Sequence, residues 1–247
     1  MAQIHTRDVD VDLESPTLVE GFPGVGLVGK IATDHLVERL EMEYFASVDC
    51  NGLPRIGVYR GGHQQARPPV RLYASEEHDL LALQSDAPIS SQAVSNVAEC
   101  ITGWIVEQNA TPIYLSGLPA EREEGRPGIY GIGTGASIET LERHDIAAPP
   151  EDGVVTGPTG ALINRAAQRE LDSLGIVVEC SRQFPDPEAA SVLLEDAIGP
   201  IADVEIDVSD LLERAEEIRE KREQFAQQMQ AIAEDESSQA QPLRMYQ

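Results

Sequence analysis

The chain has 247 residues, with 43 Asp or Glu against 18 Lys or Arg, and a formal net charge of -25. Such a balance excludes a general nucleic-acid binder and argues against docking on anionic membranes, because phosphate affinity is supplied by Lys and Arg. The length fits one large domain or a domain with an appendage, 41% hydrophobic residues suffice for a core, and no apolar run approaches the ~18 residues of a membrane-spanning helix.

Residues 1–13 alternate acids with apolar residues and hold no signal-peptide core, so the sequence reads as cytoplasmic. Candidate strands follow at Leu18–Glu20, Tyr44–Val48, Ile56–Tyr59, Val70–Ser75 and Leu80–Gln84. Apolar residues at helical spacing then occupy Val94, Val97, Ala98, Ile101, Trp104 and Ile105. Further strands are expected at Thr111–Ser116, Ile129–Ile132, Val154–Thr156 and Ile176–Cys180, and a second helical face at Leu162, Ile163, Ala166, Ala167, Leu171 and Leu174. Alternating strands and helices predict an α/β sheet covered on both faces. Residues 61–69 and 120–128 read as surface loops.

The character changes at Ser209, a suitable N-cap. Leu211, Ala215, Ile218, Phe225, Met229 and Ile232 then form a narrow stripe of alternating four- and three-residue steps, with Arg222 in the interrupted slot. This coiled helix over 209–233 needs a partner surface, on its own domain or on another subunit. Residues 234–247 begin as an acidic, Gln-rich stretch that cannot bury enough surface to fold. The predicted organisation is thus an α/β domain over 1–208, the helix over 209–233 and a flexible tail over 234–247.

Only two of the basic residues, Lys30 and Lys221, are lysines. An acidic, Lys-poor surface suits a halophile, because molar salt screens self-repulsion. Cys50, Cys100 and Cys180 are odd in number and far apart, show neither zinc nor disulfide spacing, and are expected as buried small hydrophobes.

Residues 21–30 read Gly-Phe-Pro-Gly-Val-Gly-Leu-Val-Gly-Lys, between a strand and a helix. Gly24, Gly26 and Gly29 match G-x-G-x-x-G, with Asp49 twenty residues further on at the end of the next strand, the form of a dinucleotide fingerprint. Phe22 and Pro23 precede the first motif glycine where an immediate tight turn is wanted. The other reading is that the glycines let the helix start pack closely on a neighbouring backbone. The P-loop pattern fails at Ile31, which has no hydroxyl for magnesium. The histidines His5, His35, His63, His78 and His144 lack metal-ligand spacing, and Ser137 lacks the glycines of a nucleophile elbow and reads as a helix cap. No catalytic constellation, metal site or cofactor is identified from the residues.

The segment 21–30 (Gly21, Phe22, Pro23, Gly24, Gly26 and Gly29 foremost), together with Gly-Pro-Thr-Gly-Ala-Leu-Ile at 157–163 and Pro-Asp-Pro-Glu-Ala-Ala at 185–190, resembles the archaeal proteasome assembly chaperone family over roughly residues 15–225. The resemblance implies a three-layer α/β/α sandwich shaped like the phosphorylases, a non-enzymatic homo-oligomer, and proteasome α subunits as partners. One departure is the run Cys180-Ser181-Arg182-Gln183-Phe184, which stands where the family carries an acid-and-threonine ending. At the C-terminus, Met245-Tyr246-Gln247 resembles the hydrophobic-Tyr-any tails that proteasome activators and some assembly chaperones insert between α subunits. The alternative is a nucleotide- or nucleoside-binding enzyme built on the Gly24–Gly29 turn.

Overall fold

The structure is a computed structural model that describes residues 3–7, 11–62, 64–120 and 125–216. Its strands are β1 (Gln3–Thr6), β2 (Thr17–Gly21), β3 (Glu43–Asp49), β4 (Val70–Ser75), β5 (Leu80–Ser85), β6 (Thr111–Pro119), β7 (Ile129–Thr134) and β8 (Ser173–Cys180). The helices are α1 (Val28–Arg39), α2 (Val94–Glu107), α3 (Ile138–Arg143), α4 (Gly157–Gln168) and α5 (Pro187–Leu193). A π-helical turn, Leu194–Ile198, carries α5 on into Gly199–Ala202.

All eight strands form one sheet in the order β1-β3-β4-β5-β2-β6-β8-β7. Strands β5, β2, β6 and β8 are mutually parallel, and antiparallel pairs flank them on both sides. In β2, Leu18 and Val19 are both fully buried, one on each face, as a strand covered on both sides requires. Val19 packs with α1, α5 and the turn after α5, whereas Leu18 packs with α2 and α4. The molecule is therefore an α/β fold of three layers, as expected.

Helix α2 buries Val97, Ala98, Ile101, Trp104 and Ile105, the stripe its spacing predicts. Helix α5 is capped by Asp186, whose side chain accepts from the Ala189 N–H at 3.0 Å, with Pro187 in the first turn.

Several expectations need correction. Ile56–Tyr59 is not a strand; it lies in a long loop held by a single bridge between Val58 and Arg67. Val154–Thr156 leads into α4 without pairing, and Val154 is exposed. The second helical face ends early, because α4 stops at Gln168 and Glu170 turns left-handed at φ 53°. Leu174 therefore belongs to β8. Strand β1 escapes notice because it is a short edge strand whose His5 and Thr6 are exposed. Cys50 and Cys100 are joined in a disulfide, while Cys180 is buried as predicted. Spacing in sequence carries no trace of that pairing, which follows from packing α2 beside the end of β3. Ser137 precedes α3 but does not cap it with its side chain; its Oγ donates instead to the carbonyls of Thr134 and Ser173.

Residues 209–216 are helical. Leu211, the first residue of the predicted stripe, is fully buried in the core beneath α1 and α5. Arg39 pairs with Asp207 and Asp210, tying this helix start to α1. The rest of the stripe, the acidic stretch and Met245, Tyr246 and Gln247 lie outside the described residues.

Candidate functional site

Three segments singled out in the sequence meet at the carboxyl edge of the parallel strands, although over a hundred residues separate the first from the second. Residues 22–27 leave β2 there, α4 begins there, and the turn into α5 closes over them. Such an edge is where open α/β sheets place their sites, because loops diverge from the strand ends. Thr159, in the first turn of α4, donates its hydroxyl to Glu20 Oε1 at 3.2 Å. The Asp186 N–H donates to the Gly26 carbonyl at 2.9 Å.

Three of the four glycines of this segment, Gly21, Gly26 and Gly29, are closely packed. Gly26 has φ 63°, and a Cβ there would stand 2.9 Å from the Sγ of Cys180. A Cβ on Gly21 would strike Thr33 and the Gly29 carbonyl, so β2 and α1 touch backbone to backbone at this point. A Cβ on Gly29 would stand 3.3 Å from the Gly21 Cα and the Leu115 Cβ. Gly24, with extended backbone, is exposed and uncrowded. Phe22 is buried between β2 and the α2–α4 layer, and Pro23 is half-buried. The geometry matches the packing reading of the motif.

It does not match the dinucleotide reading. Strand β3 is not the neighbour of β2, since β5 and β4 intervene. Three strand spacings place Asp49 about 14 Å from the glycine turn, across the sheet. Nor is Lys30 poised over the turn. Its ammonium donates to Asp34 at 2.9 and 3.1 Å and to Asp86 Oδ1 at 3.1 Å. Among the described residues, no group of three or more His, Cys, Asp or Glu is placed to hold a metal.

Beneath the turn, on the α2–α4 face, lies a carboxyl group that sequence reading missed. Glu20 is fully buried, and its Oε1 accepts from the Phe22 N–H at 2.8 Å and from Thr159. Its Oε2 has no hydrogen-bond partner, and neither has the buried hydroxyl of Tyr114, its neighbour in register on β6. Burial pushes the Glu20 carboxyl up to about 7, against the lowering effect of the hydrogen bonds from Phe22, Thr159 and Leu115. Burial, and then the Glu20 charge, also raise the Tyr114 phenol.

On the opposite face, Asp86 directly follows β5 and gathers Arg71, Lys30 and Arg60. The Arg71 side chain is fully buried, and it also donates to Tyr73 Oη at 3.1 Å and the Pro68 carbonyl at 2.6 Å. Burial would raise the Asp86 carboxyl, but the hydrogen bond and charge of Arg71, followed by those of Lys30, hold it below the usual range. The last residue of the 21–30 motif thus helps fasten α1 to the end of β5.

Around the turn the surface is apolar. Val25, Leu27, Leu118 and Phe184 are all exposed there. Val25 packs on Gly117 beside Leu118, and Phe184 lies on the segment anchored by Asp186. These residues can contact another protein; they offer no nucleophile.

Residues 18–226 match the family described as the PAC2 family. The chain belongs to it. A protein of Methanocaldococcus jannaschii is 30% identical over 221 residues, 88% of each chain. PbaA of Pyrococcus furiosus, described as an archaeal homolog of proteasome-assembly chaperone, superposes with a TM-score of 0.80 at 26% identity, covering 96% of this chain and 97% of that one. PbaB of the same organism, an archaeal proteasome activator, shares the fold at a TM-score of 0.78 and 22% identity, over 91% of this chain and 98% of that one. In this PAC2 chain the signature segments are structural neighbours, and the run 180–184 sits in their midst, with Cys180 against Gly26.

Proposed function

We propose that this PAC2 protein is a proteasome assembly chaperone: a non-enzymatic, cytoplasmic homo-oligomer that binds proteasome α subunits through its C-terminal tail. The observation carrying this reading is the likeness to PbaA along nearly the whole chain, supported by a signature turn in which Gly21, Gly26 and Gly29 are closely packed. The body would end at residue 208, the helix over 209–233 would carry a coiled stripe, and residues 234–247 would be a tether. Met245, Tyr246 and Gln247 would make the contact. A tyrosine can bury ~150–250 Å² while keeping a hydroxyl to hydrogen-bond, and the terminal carboxylate suits a pocket lysine. Single tails bind weakly, but several on one oligomer gain about 10²–10⁴ in avidity.

The test is co-purification of α subunits by the full chain, by a chain lacking Met245–Gln247 and by Tyr246→Ala, at high salt because the composition suits it. Both variants should stay folded and lose most of the captured α subunit. Equal capture by all three would refute tail docking. A nucleotide that binds the chain and raises its melting temperature would instead support the enzyme reading.

A further inference from the structure

Acids make up 43 of the 247 residues, yet the stretch from Asn51 to Ser75 holds four arginines and neither Asp nor Glu. The fold concentrates this charge further. The guanidinium groups of Arg7 and Arg67 lie 4.9 and 5.2 Å from the ring centroid of Tyr44, and those of Arg67 and Arg71 both donate to Tyr73 Oη at 3.1 Å. Asp86 forms ion pairs with Arg71 and Arg60. Among the described residues, no carboxylate forms an ion pair with Arg7, Arg55 or Arg67.

Arg55 and Arg67 line a cleft of about 480 Å³ between the loop and the β1–β3 edge of the sheet, together with His5, Ser47 and Ile56. Asp49 is the one carboxylate among its described lining residues. The walls add Leu53 and prolines, and Ile56 and Tyr59 of the loop are 50% and 81% exposed. Strand β1 is the outermost strand on this side, so an extended chain laid beside it could take up main-chain hydrogen bonds.

We propose that this cleft docks an acidic, extended segment of a partner protein, its carboxylates on Arg55 and Arg67 and its apolar side chains against Ile56 and the prolines of the wall. Charge complementarity carries the assignment: a basic island on a chain of net charge -25 selects an anionic partner and orients it. Nucleic acid fits less well. It needs a track of phosphate contacts, whereas the described lining offers two arginines and sets a carboxylate, Asp49, beside them. None of the lining residues belongs to the tail, and the proposal does not depend on the tail reading.

The probe is a fluorescein-labelled decapeptide alternating Glu and Leu, titrated with the full chain at 50 mM salt and followed by anisotropy. Saturable binding is expected, weakened about tenfold by the exposed substitution Arg55→Glu, unaffected by deletion of Met245–Gln247, and not reproduced by a Lys-Leu peptide. Arg67→Gln should weaken it as well, with circular dichroism verifying the fold. No binding, binding indifferent to Arg55→Glu, or tighter binding of oligothymidine would each overturn the proposal.

Discussion

Thr159 donates its hydroxyl to Glu20 across 139 positions of the chain, and the bond lies wholly within the protein. It joins the start of α4 to the end of β2, and its acceptor is a carboxyl group whose second oxygen is buried without a partner. Both segments had drawn attention as motifs. The acid between them had not.

Glu20 gives the fold a pH dependence of defined sign. Its carboxyl titrates near 7 in the folded chain against an ordinary value of 4.5, so the folded state holds the proton more tightly. Stability from this group is full below about pH 4.5 and falls as pH rises through 7. Glu20→Gln should remove that fall. Relative to wild type, the variant should gain on the order of 1–3 kcal/mol at pH 8 and little at pH 4.5. Urea denaturation at the two pH values reads the difference. An equal gain or loss at both would show that Glu20 stays in one protonation state.

Asp86 is the counter-charge for a guanidinium with almost no access to water. Asp86→Asn should destabilise by about 3–5 kcal/mol, because breaking a buried pair strands its partner. Adding Arg71→Met should restore much of the loss. Thermal melts of the single and double variants give the coupling.

The glycines separate packing from ligand binding. Gly21→Ala places a methyl against Thr33 and the Gly29 carbonyl and should destabilise by about 2–3 kcal/mol. Gly24→Ala enters open space with φ -138° and should fall within about 0.5 kcal/mol of wild type. Denaturant midpoints check both. Gly26→Val, the obvious probe of nucleotide binding, combines a left-handed φ with contact on Cys180 and should simply unfold the turn.

The Cys50–Cys100 bond closes a loop of 50 residues. Reduction, or Cys100→Ala, should lower stability by about 2–4 kcal/mol. Denaturation with and without a reductant measures this, and the Cys100→Ala protein should not respond to the reductant.

What the sequence made legible follows physical rules. Buried parallel strands such as Val19 and its neighbours are runs of apolar residues, and α2 shows its period openly because one face is core. The glycine segment stood out from residue types alone, but choosing packing over a dinucleotide turn took the contacts of Gly21, Gly26 and Gly29. Glu20 escaped because one acid at the end of an apolar strand looks like its solvated boundary. Only the arrival of Thr159 and Tyr114 from distant strands and helices shows that it is buried. The Cys50–Cys100 pair and the basic cleft escaped for the same reason, since both are products of the strand order. Ile56–Tyr59 has strand-forming residues, yet its neighbours on either side are Gly, Pro and Arg, and only one bridge forms.

The placement of β2 has a consequence for biosynthesis. It is made early, yet its two hydrogen-bonding neighbours begin at Leu80 and Thr111. At ~5–20 residues per second of translation, an apolar ribbon with both edges unfilled stays exposed on the ribosome for several seconds or longer. A protein of this shape must therefore survive its own synthesis before its sheet can close.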